Sequence, residues 1–131
     1  MPWYSEGVTM KEAAPREPAV CTRFHHASEL IGRRWNGPII YLLLQQTCRF
    51  ATLRDGIPGI TDRMLSERLQ ALEEEGLVSR TVRPDTPVRV EYALTKKGKT
   101  LADVFETISK WAEKHVPLPE DQPKARSRAS R

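Results

Sequence analysis

Residues 50–94 constrain this chain more than any other stretch, because they spell a helix, a turn, a second helix and a hairpin in unbroken order. A short helical segment, Phe50-Ala-Thr-Leu-Arg54, leads into a turn at Ile57-Pro-Gly-Ile60. The run from Thr61 to Glu75 follows and is stopped by Gly76. At about 100° per residue, Leu65, Leu69 and Leu72 fall within roughly 60° of arc and form a core-facing stripe, with Leu77 after the stop. Two β-rich runs come last, Val78 to Arg83 and Val88 to Leu94, joined by Pro84-Asp-Thr-Pro87. This order is the layout of a winged helix-turn-helix. The expected fold class is therefore mainly α with a small β-hairpin (α+β).

The flanks read less sharply. Thr22 is a plausible N-cap for a first helix carrying Phe24, Ala27, Leu30, Ile31 and Trp35 along one face. Asn36-Gly37 should break it, and Pro38 suits the first position of a second helix running to about Gln46. That helix is apolar on most sides, which predicts the central buried element. Thr95 can cap a long final helix to about His115. Residues 1–19 hold Pro2, Pro15 and Pro18 among polar residues and read as a loose arm. Residues 117–131 are Pro-rich and then basic, a composition that buries no core and predicts a disordered tail. Its plain role is solubilising, and nonspecific grip on phosphates is the other reading. The domain is thus expected over 20–116. A chain of 131 residues with 39% hydrophobic content has room for one such core.

Several function classes are disfavoured. The longest apolar run, Ile39 to Leu44, is far too short to span a bilayer. Residues 1–20 show no apolar run followed by a small-residue cleavage site, so no secretion signal is expected and the cytoplasm is the expected compartment. Two cysteines, Cys21 and Cys48, make no disulfide framework, and Cys48 should be half-buried at a helix junction. Cys21, His25 and His26 lack a further ligand, so no metal or cofactor is expected. Glycine-rich phosphate loops and paired-carboxylate motifs are absent, and nothing gathers Ser66, His25 or His26 into a catalytic group. An enzyme is not expected.

The charge points elsewhere. A net charge of +4 suits a polyanionic partner, and its placement matters more than its size. Arg49, Arg54, Arg63, Arg68, Arg80, Arg83 and Arg89 all lie in or beside the helix-turn-helix and hairpin. On the helix starting at Thr61, the face opposite the leucines presents Arg63, Ser66, Glu67 and Gln70. A major groove admits one α-helix and is read mainly from that helix's N-terminal half. Arg63 suits a guanine, Gln70 an adenine, Glu67 a cytosine amino group, and Ser66 a base or phosphate. Thr61 caps the helix and turns its positive dipole end to phosphate. Arg83 and Arg89 flank the wing tip, placed for the backbone or an A·T-narrowed minor groove. Arg49, Thr52, Arg54 and Met64 complete the candidate DNA-contacting set. Arg68 borders the core face and suits an intrachain ion pair equally well. The competing reading is a winged-helix module for protein contacts without specific DNA binding. Substituting Arg63, Arg83 and Arg89 separates the two, since only a DNA binder loses its activity.

Cys21, Glu29-Leu-Ile-Gly32, Arg34-Trp35, Phe50-x-x-Leu53-Arg54, Ile57-Pro-Gly-Ile60 and Met64-Leu-Ser-x-Arg-Leu69 resemble the HxlR-type transcriptional regulators. So do Leu72-Glu-x-x-Gly-Leu-Val78, Arg89-Val-Glu-Tyr-x-Leu-Thr95 and Gly98, and the likeness spans Cys21 to His115. The resemblance implies a homodimer on an inverted-repeat operator in double-stranded DNA, usually a repressor. It also implies dimerisation through the first and last helices. Phe24, Leu101, Val104, Phe105, Ile108, Trp111 and His115 are the expected interface, a stripe wider than one small domain needs. Family members that sense oxidants or electrophiles use a cysteine just before the first helix, where Cys21 stands. A helix N-terminus and the nearby Arg23 favour thiolate, and His25 would add to this if protonated. The family often follows that cysteine with proline, whereas Thr22 follows here, and an inert structural cysteine is the competing reading. A small-molecule effector is a further candidate partner. Trp35, Tyr41, Phe105 and Trp111 suit either a ligand pocket or, preferably, core packing.

Overall fold

The structure, a computed structural model, describes residues 17–119. The arm expected over 1–19 and the tail expected over 117–131 lie outside the described residues except for residues 17–19 and 117–119. The chain divides into two compact units between Arg34 and Trp35.

The first unit contains one described helix, α1 (Thr22–Gly32). Its N-cap is Cys21, one residue earlier than the expected Thr22, and the helix opens with His25 N–H donating to the Cys21 carbonyl at 2.9 Å. The helix also stops sooner than its apolar spacing suggested. Arg33 is already extended (φ −67°, ψ 137°), so Trp35 is not on α1. Gly32 is a weak helix former and a natural place for that exit.

The second unit begins with Trp35, whose φ of 78° places a bulky side chain in the left-handed region. Only firm surroundings hold an aromatic residue there. Trp35 is the N-cap of α2 (Asn36–Gln45). Asn36 and Gly37 therefore form the first turn of this helix instead of breaking the previous one, and Pro38 is its third residue. A first-turn position makes no demand on the missing Pro38 N–H. Ile39, Ile40 and Leu43 are buried, so α2 is the central helix its composition predicted.

A two-residue strand follows, β1 (Cys48–Arg49), and leads directly into α3 (Phe50–Gly56). Next come α4 (Asp62–Glu74), β2 (Val78–Arg83) and β3 (Arg89–Leu94). The sheet is three-stranded in the order β1-β3-β2, all antiparallel, where a two-stranded hairpin was expected. Cys48 pairs with Tyr92 and is fully buried, not half-buried. The β2–β3 register runs from Val78↔Leu94 to Arg83↔Arg89. Strand alternation then puts Cys48, Val78, Tyr92 and Leu94 on the core face, and Arg49, Thr81, Arg83, Arg89 and Glu91 on the other.

The end of α4 is tied to the strand that precedes the last helices. Gly76 (φ 82°) stops the helix, with Gly76 N–H to the Glu73 carbonyl and Leu77 N–H to the Leu72 carbonyl, a Schellman stop. The Thr95 hydroxyl donates to the Gly76 carbonyl at 2.6 Å, and its oxygen accepts from Gly98 N–H at 3.0 Å. Thr95 does cap a helix, but that helix is only α5 (Lys96–Lys99). The expected single long helix is broken at Thr100 and Leu101, and α6 (Ala102–His115) follows. Leu53, Leu65, Leu69 and Leu72, with Ile39 and Ile40, are the largest fully buried side chains. No helix among the described residues is long and apolar enough to cross a membrane.

Candidate nucleic-acid interface

The helix-turn-helix is set by its buried side. Leu53 on α3, Ile57 and Ile60 in the turn, and Leu65, Leu69 and Leu72 on α4 are all buried. The turn closes through Ile57 N–H to the Arg54 carbonyl and Ile60 N–H to the Ile57 carbonyl. Gly59 takes a φ of 89° in that turn, with the Trp35 ring lying over it. Burying this side forces the opposite face of α4 outward, and Arg63, Ser66, Glu67 and Gln70 are all exposed there. Thr61 is the N-cap, accepting from Met64 N–H at 3.1 Å. Met64 itself is half-buried, and Thr52 on α3 is exposed.

The four arginines of the helix-turn-helix and wing tip named as candidates each hold a carboxylate. Arg54 donates from Nε to Asp55 at 3.3 Å and from Nη1 to Asp62 at 3.4 Å, linking α3 to the start of α4 across the turn. Hydrogen bonds and charge from Asp55 and Asp62 push its already high pKa further up. Arg63 Nε donates to Glu67 Oε2 at 3.2 Å, one turn along α4. On the wing, Arg83 Nε donates to Glu91 Oε1 at 3.0 Å and Arg89 Nη2 to Asp85 Oδ2 at 2.9 Å. Arg83 and Arg89 face each other in the ladder, and like charges in that position repel. The two carboxylates offset that repulsion. Arg49 is exposed on β1, opposite Glu91. Exposed ion pairs contribute only about 0.2–1 kcal/mol each, so a phosphate can replace the carboxylate cheaply.

Sequence reasoning missed these acidic partners. The i,i+4 spacings of Arg63–Glu67 and Arg89–Asp85 were visible signals; Glu91 needs the strand register to be found.

The cysteines differ sharply. Cys21 is exposed, and its thiol pKa is lowered, first by the Phe24 backbone amide, then by that of Arg23, with a further contribution from the Arg23 charge. Burial pushes the Cys48 thiol up, and its Sγ lies 3.4 Å from the Gln46 carbonyl. His25 pairs with Glu29 at 3.5 Å. Among the described residues no three His, Cys, Asp or Glu side chains gather as metal ligands.

On α6, Val104, Ile108 and Trp111 are 41%, 47% and 60% exposed, and the His115 ring lies on Trp111 with centroids 5.1 Å apart. Leu101 is half-buried, and Phe24 on α1 is exposed. Phe105 is a correction: it was expected at a subunit interface, but it is buried within the chain. Tyr41 is a correction in the other direction, since core packing was preferred for it and it is exposed; Trp111, expected both in core packing and on the interface stripe, is exposed and so lies outside the core. Tyr41 and Phe105 do share a shallow groove with Leu44, Ala102 and Ser109.

The HxlR-like helix-turn-helix family matches residues 30–120. An uncharacterized HTH-type transcriptional regulator of Bacillus subtilis (strain 168), YvaP, is 47% identical over 93 residues, covering 71% of this chain and 86% of that protein. The HTH-type transcriptional regulator YodB of the same strain is 44% identical over 94 residues, covering 72% and 84%. The reduced form of YodB superposes with a TM-score of 0.68 at 40% identity, over 78% of this chain and 100% of that one. The oxidised form of the redox regulator HypR gives 0.69 at 33% identity, over 73% and 99%.

Proposed function

Because this chain belongs to the HxlR-like helix-turn-helix family, and so is a DNA-binding transcriptional regulator and not an enzyme, we propose that it works in the cytoplasm as a homodimeric repressor on an inverted-repeat operator. The observation that carries this reading is the outward face of α4, where Arg63, Ser66, Glu67 and Gln70 stand free of the core beside an arginine-bearing wing. α4 enters the major groove from its Thr61-capped end, and Arg83 and Arg89 trade their carboxylates for phosphate or the minor groove. Val104, Ile108 and Trp111 on α6, with Phe24 on α1, supply apolar surface for the second copy.

The redox reading rests on Cys21. HypR is described as a redox regulator, and YodB has been crystallised diamide-treated and quinone-bound. In this chain, an exposed thiol at the N-terminus of α1, favoured as thiolate by backbone amides, has the chemistry to react with an oxidant or electrophile. Such a reaction beside Phe24 would alter the surface assigned to the second copy.

The decisive experiment selects genomic fragments with the purified protein at about 150 mM salt and then titrates salt on the best fragment, with reduced and oxidised protein in parallel. An enriched inverted repeat whose affinity falls steeply with salt supports the reading. Uniform weak binding without an enriched sequence, in both redox states, refutes it.

A further inference from the structure

Arg63 is 85% exposed in its side chain, and its guanidinium is turned toward Glu67, four residues on. The contact uses Nε alone, at 3.2 Å, and both Nη groups make no bond among the described residues. This distinguishes Arg63 from its neighbour Arg54, which uses Nε for Asp55 and Nη1 for Asp62 and so works as a strut between α3 and α4. A guanidinium fixed through Nε presents its terminal Nη pair as a free fork. Two parallel donors at that spacing match the O6 and N7 acceptors of guanine in the major groove.

An exposed pair of this kind contributes little to folding, and a carboxylate on a phosphate-facing helix opposes DNA binding in general. Any contribution Glu67 makes through Arg63 therefore appears only in the complex. There water is excluded, and a charge-assisted bond that fixes the arginine's plane gains strength. We propose that Glu67 is a positioning residue for base readout, aligning Arg63 end-on to one guanine in each half-site. The operator accordingly carries a guanine whose discrimination depends on Glu67 through Arg63. This rests on the reading of α4 as the groove-entering helix.

The test uses the full chain, the best fragment recovered by the selection, and its single-base-pair variants. Arg63→Ala is expected to flatten preference at one guanine position by about 5- to 150-fold, the range of one bidentate contact. Glu67→Ala should weaken preference at that same position by about 3- to 10-fold, while affinity for random DNA stays equal or rises and the salt slope is unchanged. Glu67→Gln keeps an acceptor oxygen for Nε and should recover part of the loss. In an Arg63→Ala background, Glu67→Ala should add nothing at that position, the signature of a coupled pair. All these positions are exposed, and retained binding to random DNA reports that each variant is folded. Preference left intact by Glu67→Ala overturns the proposal, as does a loss at another position that persists without Arg63, since Glu67 would then read a base itself. If Arg63→Ala leaves the operator pattern untouched, Arg63 reads no base and this proposal fails, while the parent reading stands or falls separately on whether the selection recovers an inverted repeat.

Discussion

Two glycines, Gly76 just past α4 and Gly98 in α5, illustrate different physical demands on a single residue. Gly76 needs its φ of 82°, but a Cβ there would meet only the Lys97 side chain at 3.8 Å. Gly98 needs space: a Cβ there would lie 2.3 Å from the Leu77 carbonyl oxygen, which is backbone and cannot swing away. Gly76→Asn should accordingly be tolerated better than Gly76→Ala, which is expected to cost about 1 kcal/mol. Gly98→Ala should cost about 1–3 kcal/mol through overpacking, and Asn should offer no relief at that position. Urea midpoints of the four proteins check this ordering. The cysteines make a second pair. Backbone amides lower the Cys21 pKa, so its thiolate fraction near neutral pH exceeds that of a free thiol; burial does the reverse at Cys48. Alkylation of the native protein should modify Cys21 alone, with a pH midpoint below that of a free cysteine measured alongside, and Cys21→Ser should abolish it. A midpoint at or above the free-thiol value, or labelling shared with Cys48, removes the chemical basis for sensing.

At the scale of elements, the joint between α3 and α4 sets where the outward face of α4 points. The Thr61 cap and the Arg54–Asp62 bridge both act at the first turn of α4. Thr61→Ala should lower stability by about 1 kcal/mol, visible in the denaturant midpoint with an unchanged slope. On the wing, replacing Arg83 or Arg89 by alanine should reduce the salt dependence of operator binding by about 0.9 in slope for each phosphate left without its arginine, with sequence preference kept. Much of this geometry is legible in the chain. The leucine spacing of α4, its Thr61 and Gly76 ends, and the β-rich composition of β2 are local signals, and the structure holds these elements close to where those signals place them. Other parts depend on distant residues. Two residues, Cys48 and Arg49, have no alternation to detect, and become a strand only because β3 offers them an edge. The break between α5 and α6 at Thr100 and Leu101 is not announced by apolar spacing, which runs through it; Gly98, just before it, packs against the Leu77 carbonyl, a long-range contact that helix periodicity cannot reveal. Apolar spacing assigns Trp35 to the last turn of α1, because nothing local announces a tryptophan at positive φ. The same holds for Arg83 and Glu91, eight residues apart and joined only by register.

For the whole molecule, the question is what the spare apolar surface of α6 is for. Phe105 faces the core, and this alone satisfies the fold's need for one large side chain from the first turns of α6. Val104, Ile108 and Trp111 recur at alternating spacings of four and three on a different face, the spacing of a helix seam, and remain largely in water. Two copies meeting about a twofold axis would bury that face and, on the function proposed above, bring two α4 helices to the two halves of an inverted repeat. Ile108→Glu tests this cleanly. Position 108 is 47% exposed, so the change should leave folding stability within about 0.5 kcal/mol. In the dimer, however, it would set two carboxylates into an apolar seam without partners. Sedimentation equilibrium should then show a monomer, against the dimer expected of the wild-type chain. Operator affinity should fall by about 100-fold or more, because each half-site is bound alone and the gain from linked binding disappears. Affinity for an isolated half-site should be unchanged. A variant that still sediments as a dimer would show that this face is not the seam, and the exposed Trp111 and His115 would need another explanation.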